Sequence, residues 1–182
     1  TFTVDVEVKA ASFRPESDEL ILSAPDGAYV VGADGTGLRK IVEDPAWLDQ
    51  YSISPDGSML AYATWADGAE GRIHVVDIDS GVERPTDFDP GVPNNDLLPI
   101  FTPDGEGLLI ERHDATGYKP TILPLDGSPA LMMGPYHASS TGGAGVSIAP
   151  DGTKVIATYR VDGTTWLLDT TTGEGERLDW PI

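Results

Sequence analysis

Three histidines, His74, His113 and His137, are the side chains of this sequence best suited to proton transfer or metal binding, and their spacing favours neither. A helical zinc-hydrolase site needs two histidines four residues apart with a glutamate beside the first, and no such pair occurs. His74 stands between Ile73 and Val75 in an apolar run, where a hydrogen-bonded strand position is expected. His113 and His137 could approach one another on neighbouring loops, but zinc would still need a third protein ligand. Cysteine is absent, which removes thiolate metal sites, disulfides and cysteine nucleophiles. No Gly-x-Ser-x-Gly nucleophile elbow occurs either. The run Gly142-Gly143-Ala144-Gly145 lacks the Lys-Ser/Thr pair of a phosphate loop, and the acidic stretch from Asp87 to Asp96 lacks the spacing of a calcium loop. From these residues we expect no catalytic group, no metal site and no cofactor.

Composition narrows the partners. The 182 residues include 30 acidic and 11 basic side chains, a formal charge of −19, which repels phosphate backbones and anionic headgroups alike. Nucleic acid is therefore not an expected partner, and without a long apolar run neither is insertion into a membrane. Apolar residues make up 40% of the chain, enough for a packed core at this length. The 21 glycines and 15 prolines are scattered, the pattern of many short elements joined by many turns.

Those turns recur. Ile53-Ser54-Pro55-Asp56-Gly57, Phe101-Thr102-Pro103-Asp104-Gly105 and Ile148-Ala149-Pro150-Asp151-Gly152 share one pattern, and Phe13-Arg14-Pro15-Glu16-Ser17 is a degenerate copy. The prolines fall 40, 48 and 47 residues apart. Proline presets φ near −65° and glycine supplies a positive φ, so each Pro-Asp-Gly unit turns the chain tightly. After each turn come an apolar run, a second Gly-containing turn, another apolar run, a third turn and a short fourth run. Four strands per repeat follow. A four-stranded antiparallel meander cannot bury both faces alone and must stack on copies of itself, which is the geometry of a β-propeller blade.

The repeat resembles that of the TolB-like, or PD40, group of WD40-like propellers, across residues 11 to 179. The residue that opens the motif is Phe13, Ile53, Phe101 and Ile148 here, where that group carries tryptophan. The resemblance implies an all-β chain of four four-stranded antiparallel blades, forming either a four-bladed ring or part of a larger propeller. We expect one propeller domain over 1–182, with blades at about 9–43, 48–86, 96–133 and 144–179 and an extra N-terminal strand at 1–8, where Phe2, Val4, Val6 and Val8 alternate with polar residues. Phe13, Ile53, Phe101, Ile148, Leu22, Ile110, Val75 and Leu167 are the expected core.

In such an array the loops between second and third strands and those between successive blades emerge on one face. That placement gathers Trp65, His113, Tyr118, His137 and Arg160, residue types that anchor interfaces. The resulting expectation is a noncatalytic scaffold that presents a loop face to a protein or peptide, in an extracytoplasmic setting, with self-association as a way to complete a ring. The alternatives are a propeller-type lyase or hydrolase using His113, His137 and loop carboxylates, or a structural segment of a larger propeller enzyme.

Overall fold

A computed structural model describes residues 3–43, 50–64, 71–84, 95–114, 117–135, 144–160 and 162–179. Among them there is no helix, and sixteen strands form four four-stranded antiparallel sheets. The first sheet runs β1 (Ala10–Phe13), β2 (Glu19–Ala24), β3 (Gly27–Gly32) and β4 (Arg39–Val42) in that order. The second is β5 (Tyr51–Ile53), β6 (Met59–Thr64), β7 (Arg72–Asp77) and β8 (Glu83–Arg84). The third is β9 (Asn95–Phe101), β10 (Gly107–Asp114), β11 (Gly117–Pro124) and β12 (Leu131–Met132), and the fourth is β13 (Ala144–Ile148), β14 (Lys154–Tyr159), β15 (Thr165–Asp169) and β16 (Gly175–Leu178). The chain divides into two compact units, Thr1–Thr86 and Asp87–Ile182, with two sheets in each.

The repeated turns explain the repeated sheets. In the second copy the Gly57 amide donates to the Ser54 carbonyl at 2.8 Å, while the Ser54 hydroxyl donates to Asp56 Oδ1 at 2.6 Å and accepts from the Met59 amide at 2.9 Å. One side chain thus links the turn to the strand that follows it. Thr102 plays the same part in the third copy, bonding Asp104 at 2.5 Å and accepting from the Gly107 amide at 2.9 Å. Both aspartates are held below the usual carboxylate range, chiefly by those hydroxyls.

Gly57 has a second duty besides its φ of 70°. A Cβ there would stand 2.5 Å from the Pro15 carbonyl oxygen, so the absence of a side chain lets the second copy's turn seat against the first's. The first copy has no such glycine, and its left-handed residue is Glu16, at φ 57°. Its motif position two carries Arg14 in place of a hydroxyl. Arg14 donates to the Gly57 carbonyl at 2.7 Å and bonds Glu19 and Asp79 at 2.6 and 2.8 Å. The degenerate turn is therefore a clamp between the two sheets of its unit.

Each unit has its own apolar seam. Ile21, Val30, Val42, Leu60, Tyr62 and Val76 interlock between the first two sheets, and Leu109, Tyr118, Met133, Val155, Tyr159 and Leu168 between the last two. Period-two alternation decides membership: Leu109 faces this seam, while its neighbours Leu108 and Ile110 are buried on the other side of the same sheet.

Of the expected core, Phe101, Leu22, Ile110 and Val75 are buried, and Ile53 and Ile148 are half-buried against the two seams. Two residues differ. Phe13 is 73% exposed, as are Ala11 and Ser12 before it, because β1 is the edge strand of its sheet and that stretch of it is left open. Leu167 is only half-buried, since in the β14–β15 register it opposes the exposed Ile156, and Leu168, opposite Val155, takes the buried place. Residues 3–8 form no strand, although Val4 and Val6 are half-buried between the exposed Thr3, Asp5 and Glu7; only the Lys9 amide, 2.8 Å from the Ser23 carbonyl, extends the pairing of β1.

Candidate functional site at the loop end of the second unit

The β10–β11 hairpin pairs His113 with Tyr118 and Asp114 with Gly117 at its loop end. The β14–β15 connection closes through the Tyr159 amide on the Thr164 carbonyl at 2.8 Å and the Gly163 amide on the Tyr159 carbonyl at 2.9 Å. Alternation puts Glu111 and His113 on the same side of β10 as Leu109, facing the fourth sheet. The His113 ring stacks on Tyr118 at 5.4 Å between centroids, and Tyr118 lies 5.7 Å from Tyr159 of the neighbouring sheet. The loop ends of the two sheets therefore meet in one polar and aromatic cluster.

Its interior is deeply buried. Tyr118 and Tyr159 are inaccessible and Glu111 is 1% exposed, with Glu111 Oε1 3.4 Å from His113 Nε2. That Nε2 is buried and has no hydrogen-bond partner, and neither has the indole N–H of Trp166, which packs against the same seam. Burial raises the Tyr118 phenol above its ordinary pKa, with the charges of Glu111 and Asp162 adding to the rise and Arg160 opposing it. The Tyr159 phenol is raised strongly, again first by burial and then by Tyr118, Glu111 and Asp162. Both stay protonated at neutral pH. Arg160 itself is exposed at the start of the connection. On the other side of β10, Arg112 grips Asp96 through two bonds of 2.9 and 2.8 Å, so its charge serves the sheet.

Of the five residues expected on the loop face, His113 stacks on Tyr118, which is itself fully buried, and Arg160 is exposed beside Tyr159 in the chain. Trp65 and His137 lie outside the described residues. Among the described residues no three metal-binding side chains converge. Glu111 was missed by sequence reasoning; its signal is its place two residues before His113 in a strand, which sets both on one face.

His74 has its expected hydrogen bonds, and more than expected. Its Nε2 is 2.8 Å from Thr64 Oγ1, its Nδ1 is 2.6 Å from Glu83 Oε1, and its ring stacks on Tyr62 at 5.0 Å. Neither Thr64 nor Glu83 could be singled out without the strand register.

The chain superposes on solved structures over nearly its whole length. It superposes on TolB from Acinetobacter baumannii with a TM-score of 0.68 at 14% identity, covering 95% of this chain and 43% of that one. For TolB from Agrobacterium tumefaciens, described as putative, the TM-score is 0.69 at 20% identity, over 97% and 68%. These sheets are β-propeller blades. A prolyl endopeptidase superposes equally well, with a TM-score of 0.71 at 16% identity over 97% of this chain and 30% of that one, so the likeness establishes the fold alone. In sequence the chain is 25% identical over 126 residues to Tricorn protease homolog 1 of Streptomyces coelicolor, covering 68% of this chain and 11% of that protein. The chain thus spans about a tenth of the curated relative it matches. No family model matches it.

Proposed function

We propose that this chain is a noncatalytic blade scaffold whose second unit binds a protein or extended peptide at its loop end. The observation that carries the reading is the contrast in burial within one cluster: a partly exposed His113 stacks on Tyr118, and an exposed Arg160 follows Tyr159 in the chain, while Glu111, Tyr118 and Tyr159 are themselves buried. Anchors held by a rigid support lose little entropy on binding. Structures of this fold include a peptidase and an oligogalacturonate lyase, so the fold does not choose between binding and catalysis. The lyase or hydrolase alternative needs His137 beside His113, and nothing observed favours it. A chain with a formal charge of −19 is compatible with an extracytoplasmic setting, which fractionation of the native host would test.

The binding reading is tested by selecting peptides from a displayed library against the wild-type protein and titrating them against Arg160→Ala and His113→Ala. Selected peptides should lose about tenfold or more in affinity, the effect of an anchor worth over 1 kcal/mol, while thermal stability holds. Peptides that bind both variants as well as wild type would overturn it.

A further inference from the structure

The hydrogen-bonded chain Thr64–His74–Glu83 in the second sheet is not required by the fold. Counted from the motif proline, the position of Thr64 is filled by Arg112 in the third copy and Tyr159 in the fourth, so blade construction does not call for a hydroxyl there. We propose that Thr64 is a reactive hydroxyl that accepts an acyl group from an activated ester, with His74 as its general base and Glu83 as the positioning residue for His74. The site is independent of the loop-end binding surface and its chemistry is stoichiometric labelling rather than turnover.

The geometry follows a relay in order and distance. Ionised Glu83 can only accept, so the 2.6 Å contact puts the imidazole proton on Nδ1 of neutral His74. That leaves the Nε2 lone pair facing Thr64 Oγ1 at 2.8 Å, and the hydroxyl must donate to it. Three restraints hold the arrangement. Stacking on Tyr62, at 5.0 Å and 14° between planes, fixes the ring; the β6–β7 register pairs Tyr62 with His74; and β-branched Thr64 has a stiff χ1. Thr64 and His74 are half-buried and Glu83 is exposed, so the relay lies at the surface of its sheet.

In the reaction, Thr64 Oγ1 attacks the acyl carbon as His74 Nε2 takes its proton. The C–O bond to the leaving alcohol then breaks, the leaving group departs with the proton from Nε2, and the acyl group remains on Thr64 as an ester. No oxidant or further reactant is needed. An activated ester supplies its own good leaving group, so positioning and base catalysis suffice.

The experiment treats the whole chain with p-nitrophenyl acetate at neutral pH and maps acetylation by mass spectrometry. The expected result is one acetyl group on Thr64, retained in Thr64→Ser, absent in Thr64→Val, and formed about 100-fold more slowly in His74→Gln. Glu83→Gln should slow it by about tenfold, since it leaves general-base catalysis in place but loosens the ring. Acetylation confined to lysines and the terminal amine would overturn the proposal. So would a Thr64 adduct that forms equally fast in His74→Gln, or p-nitrophenol release that persists in Thr64→Val, which would mark His74 itself as the nucleophile.

Discussion

The two units solve the same packing problem, and the polar cluster that joins the sheets differs between them. In the first unit the polar device lies at the Pro-Asp-Gly turns, where Arg14 spends its guanidinium on the Gly57 carbonyl, Glu19 and Asp79, and where Arg39 donates to the Ile78 carbonyl at 2.7 Å. In the second unit it lies at the loop end, where Glu111, His113 and the two tyrosines gather and where His113 Nε2 and Trp166 Nε1 remain without hydrogen bonds. Buried polar groups are nearly always satisfied.

The largest expected effect tests the shared part of that comparison. Leu60→Ala and Leu109→Ala remove fully buried side chains from the two seams, and each should cost about 2–5 kcal/mol in denaturant unfolding. If one variant were nearly neutral, its seam would not hold its unit together.

Next comes Arg14→Ala, which should destabilise by about 1.5–3 kcal/mol, the range for hydrogen bonds to a charged group. Its pH dependence sharpens the point. Arg14 holds Asp79 below the ordinary carboxylate pKa, so folding gains from that carboxylate above its unfolded value near ~4 and loses the gain as pH falls through the lower folded value. The gap in melting temperature between wild type and Arg14→Ala should therefore narrow as pH falls below about 4, down to what the bond to the Gly57 carbonyl still contributes. A difference that stays constant into acid would mean that the clamp works through the Gly57 carbonyl alone.

The smallest effect is expected at Phe13. Because its ring is exposed, Phe13→Ser should shift stability by no more than about 0.5 kcal/mol, unlike the same change at its motif counterpart Phe101, which is 5% exposed. A large loss at Phe13 would show that something covers it in solution.

Phe13 also marks the limit of what the sequence made legible. Turn chemistry and apolar periodicity located all four sheets, because Pro-Asp-Gly and the Gly-containing hairpins act through local backbone preferences. Burial of a motif residue depends instead on what packs over its strand, which no local pattern states. Leu167 and Leu168 differ by one residue, and only the register with Val155 and Ile156 separates them. The site divides in the same way. His113 and Arg160 were placed at loop ends by counting from the motif proline, whereas Thr64 and Glu83, 19 residues apart, meet at His74 only through pairing across three strands.

A paired measurement separates the two arginines most directly: thermal stability and peptide affinity of Arg14→Ala and Arg160→Ala side by side. The prediction is a crossed result, in which Arg14→Ala melts several degrees lower but binds selected peptides as wild type does, while Arg160→Ala melts as wild type but binds about tenfold or more weakly. Equal losses of stability in both variants, or binding that survives Arg160→Ala, would contradict the assignment of Arg14 to structure and of Arg160 to binding.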